Sequence, residues 1–254
     1  MWLRQVALVA HDLKPVVDQL GHVLGLKVAF NDPAVATFGL VNAVMTVGSE
    51  FLEVVQPVRE DASALRYLHR RGGDAGYMLI FQVADARAER ERILKLGARK
   101  IAEHEGEAIF THFHPADFGG VLTSVDSLPG VANWFDRDSD WFYAGRNWRA
   151  ARNEQSTAIL GATVQGKSPA AMARRWSELL VQPLKEGPRG PRLTLARGYV
   201  DFVEPVDADG TGLVGVEVAV ADPAACLDRA RGAGLPVEGN AVRICGTSFE
   251  LTRA

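Results

Sequence analysis

The chain has 254 residues, 47% of them hydrophobic and 23% charged. That is enough apolar material for one large or two ordinary globular domains. A formal net charge of −3 leaves no basic field to hold nucleic acid or an anionic membrane. No apolar run is long enough to span a bilayer. Two cysteines, Cys226 and Cys245, make no disulfide framework. The opening Met1-Trp2-Leu3-Arg4-Gln5-Val6 lacks the basic region and long apolar core of a signal peptide. A reduced, cytoplasmic setting is expected.

Leu3 to Ala10 reads as a strand, and Asp12 is a natural N-cap for the helix that follows. Pro15 fits its first turn, Val16, Val17, Leu20, Val23 and Leu24 fall at helical spacing, and Gly25 stops it. Strand signals follow at Leu26 to Phe30, Val35 to Phe38, Ala43 to Val47 and Phe51 to Gln56, with turns at Asn31-Asp32-Pro33, Gly39 and Gly48-Ser49. With one strand signal more than the pattern needs, this is read as one β-α-β-β-β unit.

A second unit has a short helix over 62–70 leading in, a strand from Tyr77 to Val83 and an amphipathic helix from Ala86 to Leu96. Strands at Arg99 to Ala102, Ala108 to Phe113 and Val121 to Val125 complete it. From about Asp126 to Glu154 the chain carries Trp134, Phe135, Trp141, Phe142, Tyr143 and Trp148 among Asp, Asn and Arg. That is too aromatic for a disordered linker. It reads as a packed connector, or as rings that wall a ligand cavity.

A third unit has a strand from Ala158 to Val164, a helix from Pro169 to Leu180 and strands at Leu193 to Leu195 and Tyr199 to Val203. A fourth has a strand from Val214 to Val220, a helix from Pro223 to Ala233 and strands at Ala241 to Cys245 and Ser248 to Thr252. Internal repetition ties the halves together. Phe51-Leu52-Glu53-Val54-Val55-Gln56-Pro57 returns as Tyr199-Val200-Asp201-Phe202-Val203-Glu204-Pro205, and Val83-Ala84-Asp85 returns as Val220-Ala221-Asp222. Alternation puts Glu53 and Asp201 on equivalent faces of their strands.

The fold class expected is α+β, with four tandem βαβββ modules. Gln5-Val6-Ala7-Leu8-Val9-Ala10-His11-Asp12-Leu13 through Val23-Leu24-Gly25-Leu26, then Phe51-Leu52-Glu53, then His114-Pro115 through Gly119-Gly120-Val121-Leu122, resemble modules of the vicinal oxygen chelate superfamily. That group holds glyoxalase I, methylmalonyl-CoA epimerase, extradiol dioxygenases and bleomycin-resistance proteins. The resemblance implies two glyoxalase-like domains with curled mixed sheets: residues 1–127, a connector over 128–155, and a shorter domain over 156–254.

The resemblance also implies a site. Metal-dependent members take one ligand from the first strand and one from the last strand of each module. Those positions fall on Gln5, Glu53, Met78 or its neighbour Tyr77, and Ser124, so the four-ligand set is incomplete. A substitute is Thr111-His112-Phe113-His114, whose imidazoles two residues apart on a strand would share a face. Glu53, His112, His114 and Gln5 are therefore the candidate ligands of a divalent metal such as Zn, Ni, Fe or Mn. Glu53, His112 and His114 are the candidate catalytic groups; Gln5, Tyr77 and Ser124 are the candidate substrate contacts. In the C-terminal half Asp201 and Glu250 hold the last-strand positions without first-strand ligands. The expected function is proton abstraction beside a carbonyl, as an isomerase or lyase on a small oxygenated metabolite. The alternative is a metal-free binding protein of the bleomycin-resistance kind, with the aromatic connector as stacking surface. A small-molecule partner and a monomer or homodimer are expected, without nucleic acid or membrane.

Overall fold

The computed structural model describes residues 1–206 and 210–254. The first half forms strands β1 (Trp2–Val9), β2 (Val28–Phe30), β3 (Leu40–Val47), β4 (Glu50–Pro57), β5 (Ala75–Gln82), β6 (Lys100–Glu105), β7 (Ile109–Phe113) and β8 (Leu122–Ser127), with helices α1 (Leu13–Leu24), α2 (Ser63–Arg71) and α3 (Ala86–Lys95). These strands make one sheet in the order β2-β3-β4-β1-β5-β8-β7-β6. The second half forms β9 (Ser156–Gln165), β10 (Leu184–Gly187), β11 (Gly190–Thr194), β12 (Tyr199–Val203), β13 (Gly212–Val220), β14 (Val237–Glu238), β15 (Ala241–Ile244) and β16 (Thr247–Arg253), with α4 (Pro169–Leu180) and α5 (Pro223–Gly232). Their order, β10-β11-β12-β9-β13-β16-β15-β14, repeats the first sheet's pattern. Both sheets mix parallel and antiparallel pairs. The four-module α+β reading agrees with this architecture.

Local chemistry explains most boundaries. The Asp12 side chain accepts from Lys14 N, and Gly25 takes φ 68 to end α1. Asp85 and Asp222, the repeated acids, cap α3 and α5 in the same way. The strand expected at Val35 to Phe38 is instead a 3-10 helix over Pro33–Phe38. Pro33 occupies its first turn, the Asp32 side chain accepts from Ala34 N, and Gly39 closes it at φ 73. Val35, Thr37 and Phe38 are strand-favouring residue types, but the flanking cap and proline decide the outcome. Without that strand the first module is βαβββ.

By packing, the chain groups into two compact units. One comprises Met1–Val6, Tyr77–Phe142 and Gly161–Leu213. Its core centres on Trp176 of α4, whose ring meets those of Phe81, Phe118 and Phe202 edge-on at 6.2, 5.2 and 5.4 Å. The other comprises Ala7–Gly76, Tyr143–Leu160 and Val214–Ala254. Here the last carbonyls of α1 find partners: Gln155 Nε2 and Arg229 Nη2 donate to Val23 O at 2.7 and 2.9 Å, and Ser156 Oγ donates to Leu24 O at 2.7 Å. At the β3–β4 turn Gly48 sits at φ 64 with the Thr157 carbonyl against it; a Cβ there would lie 1.8 Å from that oxygen.

Candidate functional site

In the second of these units, β3 and β4 run antiparallel with Val44 opposite Glu53 and Asn42 opposite Val55. Glu53 is buried, 7% exposed. Asn42 Nδ2 donates to its Oε1 at 2.6 Å. The Asn42 amide cannot be flipped, because its Oδ1 accepts from Asp32 N at 2.8 Å. The start of the 3-10 helix therefore sets the asparagine, and the asparagine sets the acid. Phe51, two residues along and on the same face as Glu53, meets Trp148 edge-on at 5.1 Å. Thr46 Oγ1 donates to Trp148 O at 3.2 Å. Arg152 stacks over Trp148 and donates to Gly48 O at 2.8 Å. The second part of the aromatic connector thus packs on the face that carries Glu53.

The other unit holds the remaining expected residues. Gln5 is buried and its Oε1 accepts from Trp141 Nε1 at 2.7 Å. Beside it, Arg4 Nη2 donates to Ser139 O at 2.9 Å. The parallel β5–β8 register sets Ile80 against Ser124 and Gln82 against Asp126; the β7–β8 register sets His112 against Ser124. Gln82, Ser124, Asp126 and His112 therefore share one face. Tyr77 falls on the opposite one, with Leu79 and Phe81, the face that Phe81 presents to Trp176. Tyr77 and Ser124 do not line a common surface of β5 and β8.

His112 stacks on Phe110 at 4.5 Å, and burial pushes its imidazole down to about 4. It is neutral at pH 7. β7 ends at Phe113, so the alternation expected to align His112 with His114 stops one residue short. His114 instead begins a 3-10 turn over Pro115–Phe118, and its Nδ1 accepts from Ala116 N at 3.2 Å.

Two polar side chains on the Ser124 face were not anticipated. Asp126, 2% exposed, accepts a hydrogen bond from Ser124 Oγ. Gln82 is wholly buried, and neither atom of its amide has a hydrogen-bond partner among the described residues. Both follow from counting in twos from Ser124 and Met78. A buried primary amide left unsatisfied costs about 1–3 kcal/mol, so a ligand or water is expected to satisfy it.

The donor set does not fit the divalent metal that the superfamily resemblance implies. Gln5 Oε1, the atom that would ligate, holds an indole N–H. His114 keeps only Nε2, because its Nδ1 holds a backbone N–H, and it lies past the end of β7 rather than beside His112 on the strand. Among the described residues no group of three His, Cys, Asp or Glu is placed to hold a metal ion.

In the C-terminal half, Asp201 is fully buried and bound by the fork of Arg192, Nε at 2.6 Å and Nη2 at 2.8 Å. Arg192 in turn stacks 3.5 Å over Tyr199. A guanidinium therefore neutralises the acid that repeats Glu53, and Asp201 serves structure.

The sheet order and paired modules define a protein of the vicinal oxygen chelate superfamily. A triple mutant of 4-hydroxymandelate synthase from Streptomyces coelicolor superposes with a TM-score of 0.69 over 92% of this chain and 75% of that one, at 19% identity. Methylmalonyl-CoA epimerase from Mycobacterium tuberculosis matches 50% of this chain and 87% of its own, at 22% identity and a TM-score of 0.46. In sequence, an ethylmalonyl-CoA/methylmalonyl-CoA epimerase from Cereibacter sphaeroides is 25% identical over 135 residues, 50% of this chain and 97% of that protein. The family described as "Glyoxalase-like domain" matches residues 6–180, and the chain belongs to it.

Proposed function

We propose that the protein is a glyoxalase-like enzyme that moves a proton on the carbon beside a carbonyl of a small oxygenated metabolite, with Glu53 as the base. The observation that carries this reading is the chain of hydrogen bonds from Asp32 N through Asn42 to Glu53. It fixes a buried carboxylate in one orientation with a neutral donor on one oxygen. Asp201, the repeat's counterpart, is held by the fork of Arg192. A carboxylate held this way can accept a proton from an acidic carbon and return it, which is isomerase chemistry. The proposed step uses no metal ion. The likeness to an epimerase acting on CoA esters adds support for this class of reaction. In the other unit Gln82, Ser124 and Asp126 form a polar patch of their own. His112, neutral, is proposed to act there as a hydrogen-bonding group. Gln5, Tyr77 and His114 serve as packing and turn residues in this reading.

The test is hydrogen–deuterium exchange at the carbon beside the carbonyl. Methylmalonyl-CoA and simple 2-oxo acids are incubated in D₂O and followed by proton NMR. Exchange is expected with the native enzyme, falling by about 10²–10⁴ in Glu53→Gln, with unchanged thermal unfolding. Exchange that persists undiminished in Glu53→Gln removes Glu53 as the base. The alternative, metal-free binding of a planar molecule by the connector, is favoured by a depression walled by Trp134 and Phe135.

A further inference from the structure

An open depression of about 710 Å³ lies in the first compact unit, lined by Ala132, Asn133, Trp134, Phe135, Asp136, Arg137 and Arg197. Its volume is that of a small-molecule site, roughly 300–1,000 Å³. None of the residues expected from the sequence as catalytic lies in its wall. We propose that this depression is a binding site for an aromatic molecule carrying a carboxylate or phosphate group. The proposal does not depend on Glu53 chemistry.

Arg197 is the central group. Its backbone is tied to the edge of the first strand, with Leu3 N donating to Arg197 O at 3.0 Å. Its guanidinium lies over two rings, 4.4 Å from the Trp2 centroid and 4.3 Å from that of Phe135. Trp2 and Phe135 meet edge-on at 5.9 Å, and Trp134 meets Phe135 edge-on at 5.1 Å. The rings fix the guanidinium by its faces, while its N–H donors run along its edges. One of those donors, Nη1, is buried and has no hydrogen-bond partner among the described residues. A preorganised cation with an unanswered donor at the wall of a cavity calls for an oxyanion. Trp134, half-buried in that wall, offers a stacking face for a planar ring. The one acid of the lining, Asp136, is engaged by its own loop, accepting from Asp138 N at 2.7 Å.

The experiment titrates the full-length protein with benzoate and with phenyl phosphate. Binding is read by quenching of tryptophan fluorescence and by calorimetry. Saturable binding is expected for at least one of the two, and their ranking tells carboxylate from phosphate. Arg197→Gln is expected to weaken it about tenfold or more, and Trp134→Leu several-fold, both folded by circular dichroism. Trp134→Leu also removes most of the quench, which locates the ligand at that ring. Glu53→Gln is expected to bind as the native protein does. Absence of saturable binding up to about 10 mM, the weak end of useful affinity, overturns the proposal. So does binding that survives both Arg197→Gln and Trp134→Leu unchanged.

Discussion

Asn42 shows how much at this site depends on one residue that does no chemistry. Its amide joins the N–H of Asp32 to the carboxylate of Glu53, and both bonds are buried or nearly so. If Glu53 is the base proposed above, Asn42→Ala lowers kcat in the exchange assay about 10–100-fold with a smaller change in KM, because it loosens the carboxylate rather than removing it. Stability should fall by about 1–3 kcal/mol, read by urea unfolding.

His112 makes a pH prediction. Its imidazole gains a proton near pH 6.5 in the unfolded chain and only near 4 in the folded one. Stability from this group is complete above about 6.5 and is lost as the pH falls through that window to 4. The full difference is at most roughly 3 kcal/mol, less what solvent screens. His112→Phe preserves the stacking on Phe110 and should flatten the fall in stability between pH 7 and 4.5, measured by denaturant midpoints. An unchanged slope would remove the burial argument. At this scale the buried position of Glu53 was legible, since the repeated motif and strand alternation both point to it. Asn42 was invisible, because its role depends on the β3–β4 register and on the backbone N–H of Asp32, ten residues before it in sequence. Asp126 and Gln82 were legible by parity from Ser124 and Met78 but were passed over, since the acid was sought at one position only.

Among the elements, the helices were read most surely. α4 spans Pro169–Leu180 as its apolar spacing requires, and its Trp176 fills the core of one unit. Trp176→Ala should cost about 3–5 kcal/mol. Trp176→Phe should cost much less, because the indole N–H has no hydrogen-bond partner among the described residues and its loss leaves nothing unpaired. Thermal unfolding of the two variants separates these. The edge strands were the hardest to see. β10 and β14 have no buried residue and no apolar alternation, so pairing alone makes them strands. The segment over 33–38 failed in the other direction, its apolar residues lying exposed in a 3-10 turn. The aromatic connector has its rings divided between roles. Trp141 and Trp148 are buried against the site strands, while Trp134 and Phe135 wall the open depression.

For the whole molecule, repetition was the most legible property. Two halves with the same strand order came from recurring motifs, and with them the superfamily. The fate of the repeated acid was not readable. Arg192 lies nine residues before Asp201, and only the hairpin that sets them opposite each other reveals the ion pair. Arg192→Ala should destabilise by less than the roughly 3–5 kcal/mol of a stranded buried charge, because Arg189 remains 3.8 Å from Asp201 Oδ2. Replacing both partners, Arg192→Met with Asp201→Leu, should recover most of that loss in the same unfolding assay.

The ring cluster around Trp176 draws Phe81 and Phe118 from before the connector and Phe202 from after it. Severing the backbone after the exposed Gly130 should therefore yield two pieces that precipitate when made singly, each with raw aromatic surface. Mixed during refolding, they should find each other and elute as one heterodimer on gel filtration. The chain would then serve as a split reporter, its reassembly read from the recovered emission of its buried indoles.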